Sequence, residues 1–321
     1  MASLRIFRSL DEVRDDFKPS VLTIGNFDGV HVGHRQILRR VADLGRERGW
    51  KPSVLTFDPH PARIVAPARA PRLMTSPEQR AWLMKDDGIE QVLILPFDPS
   101  VAHLTSEEFV KSVLVERLGV KAVLVGDNFR FGHRHAADTK TLEKLGHRYG
   151  FFTEVIPGVR VRGHVVSSSA IRNLVAAGKV SVASRLLGRP YGLEGDVVPG
   201  HGVGSRQTVP TLNLSTKTEV LPAVGVYVTR TRDLDDSRGW PSVTNAGYRP
   251  TFDGREFTEE TFLLSPLTGA APRRIGVEFL YRLRAERKFE SPQALKAQIL
   301  RDAARALAYF RRWDRLAGAP L

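Results

Sequence analysis

The sequence predicts an α/β protein in two parts: a parallel sheet flanked by helices in the first half, then a small antiparallel β-barrel closed by a terminal α-helix. Three observations carry this reading. Short apolar runs alternate with amphipathic stretches through the first 158 residues, the pattern of a sheet covered on both faces. The following stretch holds short, partly alternating segments between Gly, Pro and Asp turns, the pattern of a barrel. The last stretch repeats apolar residues at helical spacing.

Each element follows in order. VLTI (Val21–Ile24) is a strand that ends at Gly25, and Ile37, Leu38, Val41 and Leu44 then share one helix face. PSVLTF, QVLILPF, KAVLVG and TEVIPG are further strands. Ligands sit at the carboxyl ends of such strands, and the segments there are GNFDGVHVGH, DPHP, FD and GDNFRFG. These are polar, Gly-rich or His-bearing, which suits a site better than a packing surface. The texture changes near Ser184–Gly188, which places the boundary between domains 1–185 and 186–321. GLEGDVV, TLNL, GVYVTRT, SVTNAGY, EETFLL and IGVEFLYRL are the barrel strands. Ser291 is an N-cap followed by Pro292, and Leu295, Ile299, Ala303, Leu307 and Phe310 form the stripe expected to face the barrel.

Composition narrows the class. The chain has 321 residues, 42% hydrophobic and 26% charged, as in globular proteins. With 0 Cys, disulfides, cysteine nucleophiles, thiolate zinc sites and iron–sulfur clusters are excluded. No apolar run approaches the roughly 18 residues of a membrane span, and the first residues lack an apolar signal core. A cytoplasmic protein without a membrane partner is expected. The net charge is +13, and residues 270–321 hold 12 Lys/Arg against 5 Asp/Glu. A solvated face of the terminal helix accounts for that surplus. No nucleic-acid motif accompanies it, so no nucleic-acid partner is expected. Oligomeric state is open.

The strongest chemical signal is Gly25-Asn26-Phe27-Asp28-Gly29-Val30-His31-Val32-Gly33-His34, between a strand and a helix. Gly29 and Gly33 allow close backbone approach. A helix N-terminus attracts phosphate. His31 and His34, three residues apart, can point the same way and meet charge that develops at phosphorus. Ser167, Ser168, Ser169 and Arg172, at a second helix start, suit another phosphate clamp. Asp127, Asn128, Phe129, Arg130 and Phe131 follow a strand; they could stack on and read a flat heteroaromatic ring, or the Phe rings could tuck into the core. Asp58 and His60 are equally consistent with lining a site or forming a turn.

H-x-G-H after the first strand resembles the adenylyltransferase superfamily that includes class I aminoacyl-tRNA synthetases. The full string GNFDGVHVGH resembles the bacterial bifunctional riboflavin kinase/FAD synthetase family. The resemblance continues through TFDPHP, PFD, EEFV, GDNFRFG, SSSAIR, LLGRPY, P-T-x-N, GYRPTF and KFESPQALKAQI. It implies a Rossmann-like nucleotidyltransferase domain that transfers AMP from ATP to FMN, and a barrel of riboflavin-kinase type. His31, His34 and Arg172 would be catalytic in the first reaction. Gly25, Asn26, Phe27, Asp28, Gly33 and Ser167–Ser169 would bind ATP, and Asp127–Arg130 would bind the flavin. In the second domain Gly204, Pro210, Thr211 and Asn213 would bind ATP and Mg²⁺, with Thr211 and Asn213 as metal ligands. Glu260 would take the hydroxyl proton; adjacent Glu259 must point to the other side of its strand. ATP, Mg²⁺, riboflavin and FMN are the implied small molecules.

The second domain also departs from the family pattern. Ser205 stands where Arg is usual, Thr208 where Gly is usual, and Gly269–Pro272 lacks the usual polar and aromatic groups. These departures predict a weakened kinase. They leave open a monofunctional FAD synthetase whose second domain only binds flavin. Two other readings stand behind these: an adenylyltransferase acting on a phosphopantetheine- or nicotinamide-type substrate, which gives no reason for GDNFRFG or P-T-x-N, and a regulatory flavin- or RNA-binding protein, against which His31, His34 and Arg172 argue.

Overall fold

The computed structural model describes residues 4–199, 211–236, 238–251 and 254–317. The chain divides into two compact units that part between Ser168 and Ser169.

The first unit is a six-stranded sheet, all parallel, in the order β1 (Arg5–Phe7), β4 (Gln91–Pro96), β3 (Lys51–Asp58), β2 (Ser20–Ile24), β5 (Val120–Gly126), β6 (Phe152–Ile156). The strands are apolar because both faces are covered. Val21, Val54, Val92 and Ala122 pack on one side with Leu38, Val41 and Leu44 of α1 (Val32–Arg48). Leu22, Leu55, Leu93 and Val123 pack on the other with Phe109, Val113 and Leu142. Strand alternation sorts neighbours to opposite faces. β1 was not among the predicted strands, since three residues are too few to show a period. Gly49, at φ 67°, ends α1 in the left-handed conformation that glycine accepts without strain. Two helices matter for the site: α2 (Pro61–Val65) and α3 (Pro77–Lys85), which opens with a Ser76–Gln79 capping box.

The second unit takes α4 (Ser168–Ala176) from its second residue onward, then α5 (Val180–Leu187). α5 packs on the barrel strands β8 (Arg274–Arg284) and β7 (Tyr191–Val198). The division after Ser168 groups α5 and nearly all of α4 with the barrel, whereas the sequence boundary of 185/186 leaves α4 with the sheet and cuts through α5. Between β7 and β8 run β9 (Thr211–Thr216), β10 (Gly225–Asp233), β11 (Gly239–Thr251) and β12 (Gly254–Leu263). Antiparallel pairing closes the six strands into a barrel. The departing stretch Gly269–Pro272 is held as a turn: Arg238 Nη1 donates to the carbonyls of Thr268 and Ala270.

The terminal helix, α6 (Pro292–Ala317), begins as expected, with Ser291 Oγ accepting from Ala294 N. Its buried face differs from the predicted stripe. Ala306 and Phe310 pack on Val226, Val228 and Val243. The same face buries Gln298 and Asp302, while Leu295, Ile299 and Leu307 are exposed. The reason is ionic: Asp302 Oδ2 accepts from Arg284 Nε at 2.9 Å and Gln298 Nε2 donates to Asp302 Oδ1 at 2.8 Å. A polar pair that must be buried together rotates the helix away from its most apolar stripe.

Inside the barrel a row of hydroxyls is buried. Thr229 Oγ1 meets Ser242 Oγ at 2.9 Å and Thr244 Oγ1 at 2.8 Å, and Thr244 Oγ1 meets Thr261 Oγ1 at 2.9 Å. Glu259, two residues before Thr261, points the same way. It is 1% exposed, and neither carboxylate oxygen has a hydrogen-bond partner. Its cross-strand neighbours are Leu214 and Ala246. Burial pushes its carboxyl from 4.5 up to about 8.

The folded barrel therefore holds a proton on Glu259 that the unfolded chain has already released above pH 4.5. Stability from this group is full below that value and is lost as pH rises through about 8. Glu259→Gln, uncharged and of the same shape, should flatten this dependence. Thermal unfolding between pH 5 and 9 checks it: the variant should lose less Tm than the parent across that interval.

Candidate active sites

The first site grows from the end of β2. After Ile24 the chain enters a tight loop in which Phe27 (φ 49°), Gly29 (φ 81°) and Val30 (φ 40°) are all left-handed. A left-handed β-branched residue costs of order 1–3 kcal/mol, so the loop must be held from outside. Asp28 does this. Its buried carboxylate accepts from Met74 N at 3.0 Å, Thr75 N at 3.1 Å and Thr75 Oγ1 at 3.1 Å. Gly29 N donates to Thr75 Oγ1 at 3.0 Å. Sequence placed Asp28 among the ATP ligands; the structure turns its carboxylate to the segment that precedes α3. Ser168, the last residue of the same unit, donates from Oγ to the Asp28 carbonyl at 2.9 Å.

His31 is the N-cap of α1, its Nδ1 accepting from His34 N at 3.2 Å. With Nδ1 accepting, Nε2 carries a ring N–H. The two imidazoles stack with centroids 3.5 Å apart. The edge of buried Phe27 meets His34 with centroids 5.0 Å apart. Gly33 makes room: a Cβ there would lie 3.3 Å from the His31 ring. Burial, then His31, then Arg80 hold His34 well below the usual 6.5. At neutral pH the pair is therefore neutral at His34.

Sequence reasoning missed Arg80. It lies on α3, is 1% exposed, and donates from Nη1 to the Asn26 carbonyl and to Thr56 Oγ1 at 3.4 Å. Surface is the ordinary place for Arg in a TSPEQR helix start, so no local signal betrays its burial. His60 is the N-cap of α2, accepting from Ala62 N at 3.1 Å, which is its turn-forming role.

The GDNFRFG loop is packed against the first unit at several points. Phe131 is buried in the core, and Phe129 stacks on it with centroids 5.5 Å apart. One face of Phe129 is thus covered. Asp127 Oδ2 accepts from Gly158 N at 3.1 Å, and Arg130 Nη1 lies 3.5 Å from Asp138 Oδ2. Asn128 is exposed. Three of the four residues expected to bind flavin therefore also brace the loop. Ser169 and Arg172 lie on α4, in the second unit.

On the barrel, register sorts the two glutamates. Glu260 pairs with Asn213 of β9 on one side and Asn245 of β11 on the other. Its side chain lies on the outer face, opposite to Glu259. Thr211 is two residues from Asn213 and shares that face. Asn245, inside SVTNAGY, was not singled out from sequence, because only cross-strand register shows it beside Glu260. Gly204, Ser205, Thr208 and Pro210 lie outside the described residues. Thr211, Asn213 and Glu260 are all oxygen donors, the chemistry Mg²⁺ takes. Among the described residues no cluster of three His, Cys, Asp or Glu could hold a metal. The donor set therefore fits an ion held jointly with substrate phosphates rather than a caged one.

Comparison with known proteins agrees with both halves. A family model described as FAD synthetase matches residues 13–170, and one described as riboflavin kinase matches 187–310. A bifunctional riboflavin kinase/FMN adenylyltransferase of Pseudomonas fluorescens is 38% identical over 95% of this chain and 98% of its own length. The chain belongs to the bifunctional riboflavin kinase/FMN adenylyltransferase family. The family protein of Escherichia coli (strain K12) is 37% identical over 90% of this chain and 92% of its own length. The crystal structure of a macrolide-efflux protein from Streptococcus pneumoniae superposes with a TM-score of 0.82 at 26% identity, covering 92% of this chain and 96% of that one. No helix among the described residues is long and apolar enough to cross a membrane. The presence of both family domains does not favour the monofunctional alternative.

Asp28→Ala should release the strained loop. Removing a charged acceptor from two buried N–H groups costs about 2 kcal/mol. Urea unfolding of the variant, read against the parent, measures this.

Proposed function

We propose that this chain makes FAD from riboflavin in two ATP-dependent steps, one in each half, with functional limits at 1–185 and 186–321. In the barrel the ribityl hydroxyl oxygen attacks the γ-phosphorus of ATP. Glu260 accepts the hydroxyl proton, and ADP leaves with the electrons of the broken P–O bond. Thr211 and Asn213 supply neutral oxygens for Mg²⁺ and phosphate. In the sheet domain a phosphate oxygen of FMN attacks the α-phosphorus of a second ATP, and pyrophosphate leaves. Mg²⁺, when bound, neutralises phosphate charge.

The observation that carries the reading is the stacked His31–His34 pair at the start of α1. His31 Nε2–H donates to phosphate oxygen, and unpaired N–H groups of the first helical turn add to it. Both are donors already in place before charge develops. Asp28 braces the ATP loop, and Gly25, Asn26, Phe27 and Gly33 shape it. Ser167–Ser169 and Arg172 are proposed as a further phosphate clamp on the family motif. Asn128 is the group of the 127–130 loop best placed to read a flavin edge. ATP and flavin supply are those of the cytoplasm, which is the proposed location.

Purified protein with ATP and Mg²⁺ tests the reading by a chromatographic time course, with riboflavin in one tube and FMN in the other. Both tubes should yield FAD. FAD from the FMN tube alone would remove the kinase step, and FAD from neither would remove the proposal. His31→Ala should lower FAD formation by at least about 100-fold while FMN formation persists. Glu260→Ala should do the reverse, and equal loss of both activities in either variant would contradict separate sites.

A further inference from the structure

Arg80 is a costly residue. A guanidinium that is 1% exposed has lost its hydration, and an unpaired buried charge costs several kcal/mol. Among the described residues no carboxylate lies within ion-pair distance of it. Its partners are neutral: the Asn26 carbonyl, Thr56 Oγ1 and, from Nε at 3.4 Å, the Ser76 carbonyl. Nη2 is out of solvent and has no partner at all. Asp28, Asp58 and Glu78 act on it only through longer-range attraction, and burial pulls it below the ordinary arginine value. A neutral residue of similar shape would avoid that expense. Such expense without structural return concentrates at functional sites.

What the charge faces is the active loop. The Asn26 carbonyl lies two residues after the end of β2, in the loop that leads to His31. The ring of His34 is faced by His31 from the helix cap, by the edge of Phe27, and by Arg80 from α3. Nδ1 of His34 is buried without a partner. A proton on that ring would add a positive charge to a buried site that already feels the charge of Arg80.

We propose that Arg80 is a positioning residue for adenylyl transfer: it anchors the Asn26 carbonyl and sets one permanent positive charge behind the histidine pair. The role rests on the proposed FAD-forming reaction. A triphosphate brings several negative charges to this end of α1. Arg80 meets them with a charge that does not depend on pH, and the same charge keeps His34 from competing for protons. Anchoring needs the planar fork of the guanidinium, whereas the charge alone could come from an ammonium.

Two variants separate the parts. Arg80→Gln removes the charge, and Arg80→Lys keeps it without the fork. Each is assayed for FAD formation from FMN and ATP as a pH profile of kcat/KM. The His34 ring is titrated by NMR in the substrate-free protein, and FMN formation from riboflavin serves as a control for a folded chain.

In Arg80→Gln, His34 should take up its proton at higher pH. The acidic limb of the profile should move to higher pH with it, so activity at pH 6 falls more than at pH 8. Turnover should drop at least about tenfold, the scale of a misplaced loop. Arg80→Lys should keep the parent's limb and His34 titration yet lose turnover several-fold. An unchanged His34 titration in Arg80→Gln, or parental turnover in Arg80→Lys, would overturn the inference. If Arg80→Gln does not fold, Arg80→Lys decides: a shifted limb or full turnover there overturns it equally. If the parent itself forms no FAD, the proposed reaction fails, while the His34 titration still reports whether Arg80 supplies the charge.

Discussion

The carboxylate of Asp28 joins two stretches of chain that are far apart in sequence, the loop after β2 and the segment that opens α3. Much of the first site depends on that junction. The loop contains left-handed Phe27 and Val30, conformations that no local preference would hold. Three donors from Met74 and Thr75 converge on Asp28 and hold them. With the loop fixed, His31 can cap α1, His34 can stack on it, and Phe27 can close the far edge. The same junction delivers α3, and with it Arg80, to the Asn26 carbonyl. One buried anion and one buried cation thus frame a loop whose own chemistry is neutral at His34.

The barrel works by a simpler rule. A strand sends neighbours to opposite faces, and β12 uses this to give two adjacent glutamates different fates. Glu259 enters an interior of hydroxyls, Leu214 and Ala246, where burial keeps it protonated to about pH 8. Glu260 stands outside between Asn213 and Asn245, among groups that can carry phosphoryl chemistry. The two share a composition and a sequence position to within one residue. Only the side of the pleat separates a cost in stability from a candidate general base.

Helix α6 shows a limit of periodicity. Its apolar residues are numerous enough to form several stripes, and the one that looked most continuous is partly exposed. The helix settles where Asp302 can meet Arg284 and Gln298. An unpaired buried charge costs more than an exposed leucine, so the ion pair chooses the face. The GDNFRFG loop makes the same point on a smaller scale. Phe129 and Phe131 read as aromatic surface for a ligand, and the core claims Phe131 and one face of Phe129.

Sequence alone determined the class of each half and the place of most strands along the chain, because alternation, apolar run length and glycine placement are local signals. It also singled out the histidine pair as contiguous residues at a helix start, and, through the family resemblance, the P-T-x-N and glutamate positions. Tertiary structure decided which side chains serve as braces. Asp28, Asp127 and Arg130 all find protein partners that no neighbouring residue announces. It decided that Arg80 is buried and that Asn245 stands beside Glu260, since both facts arise from elements brought together across long stretches of chain. Burial and cross-strand register depend on what the rest of the chain places opposite a residue, and a linear pattern carries no record of that.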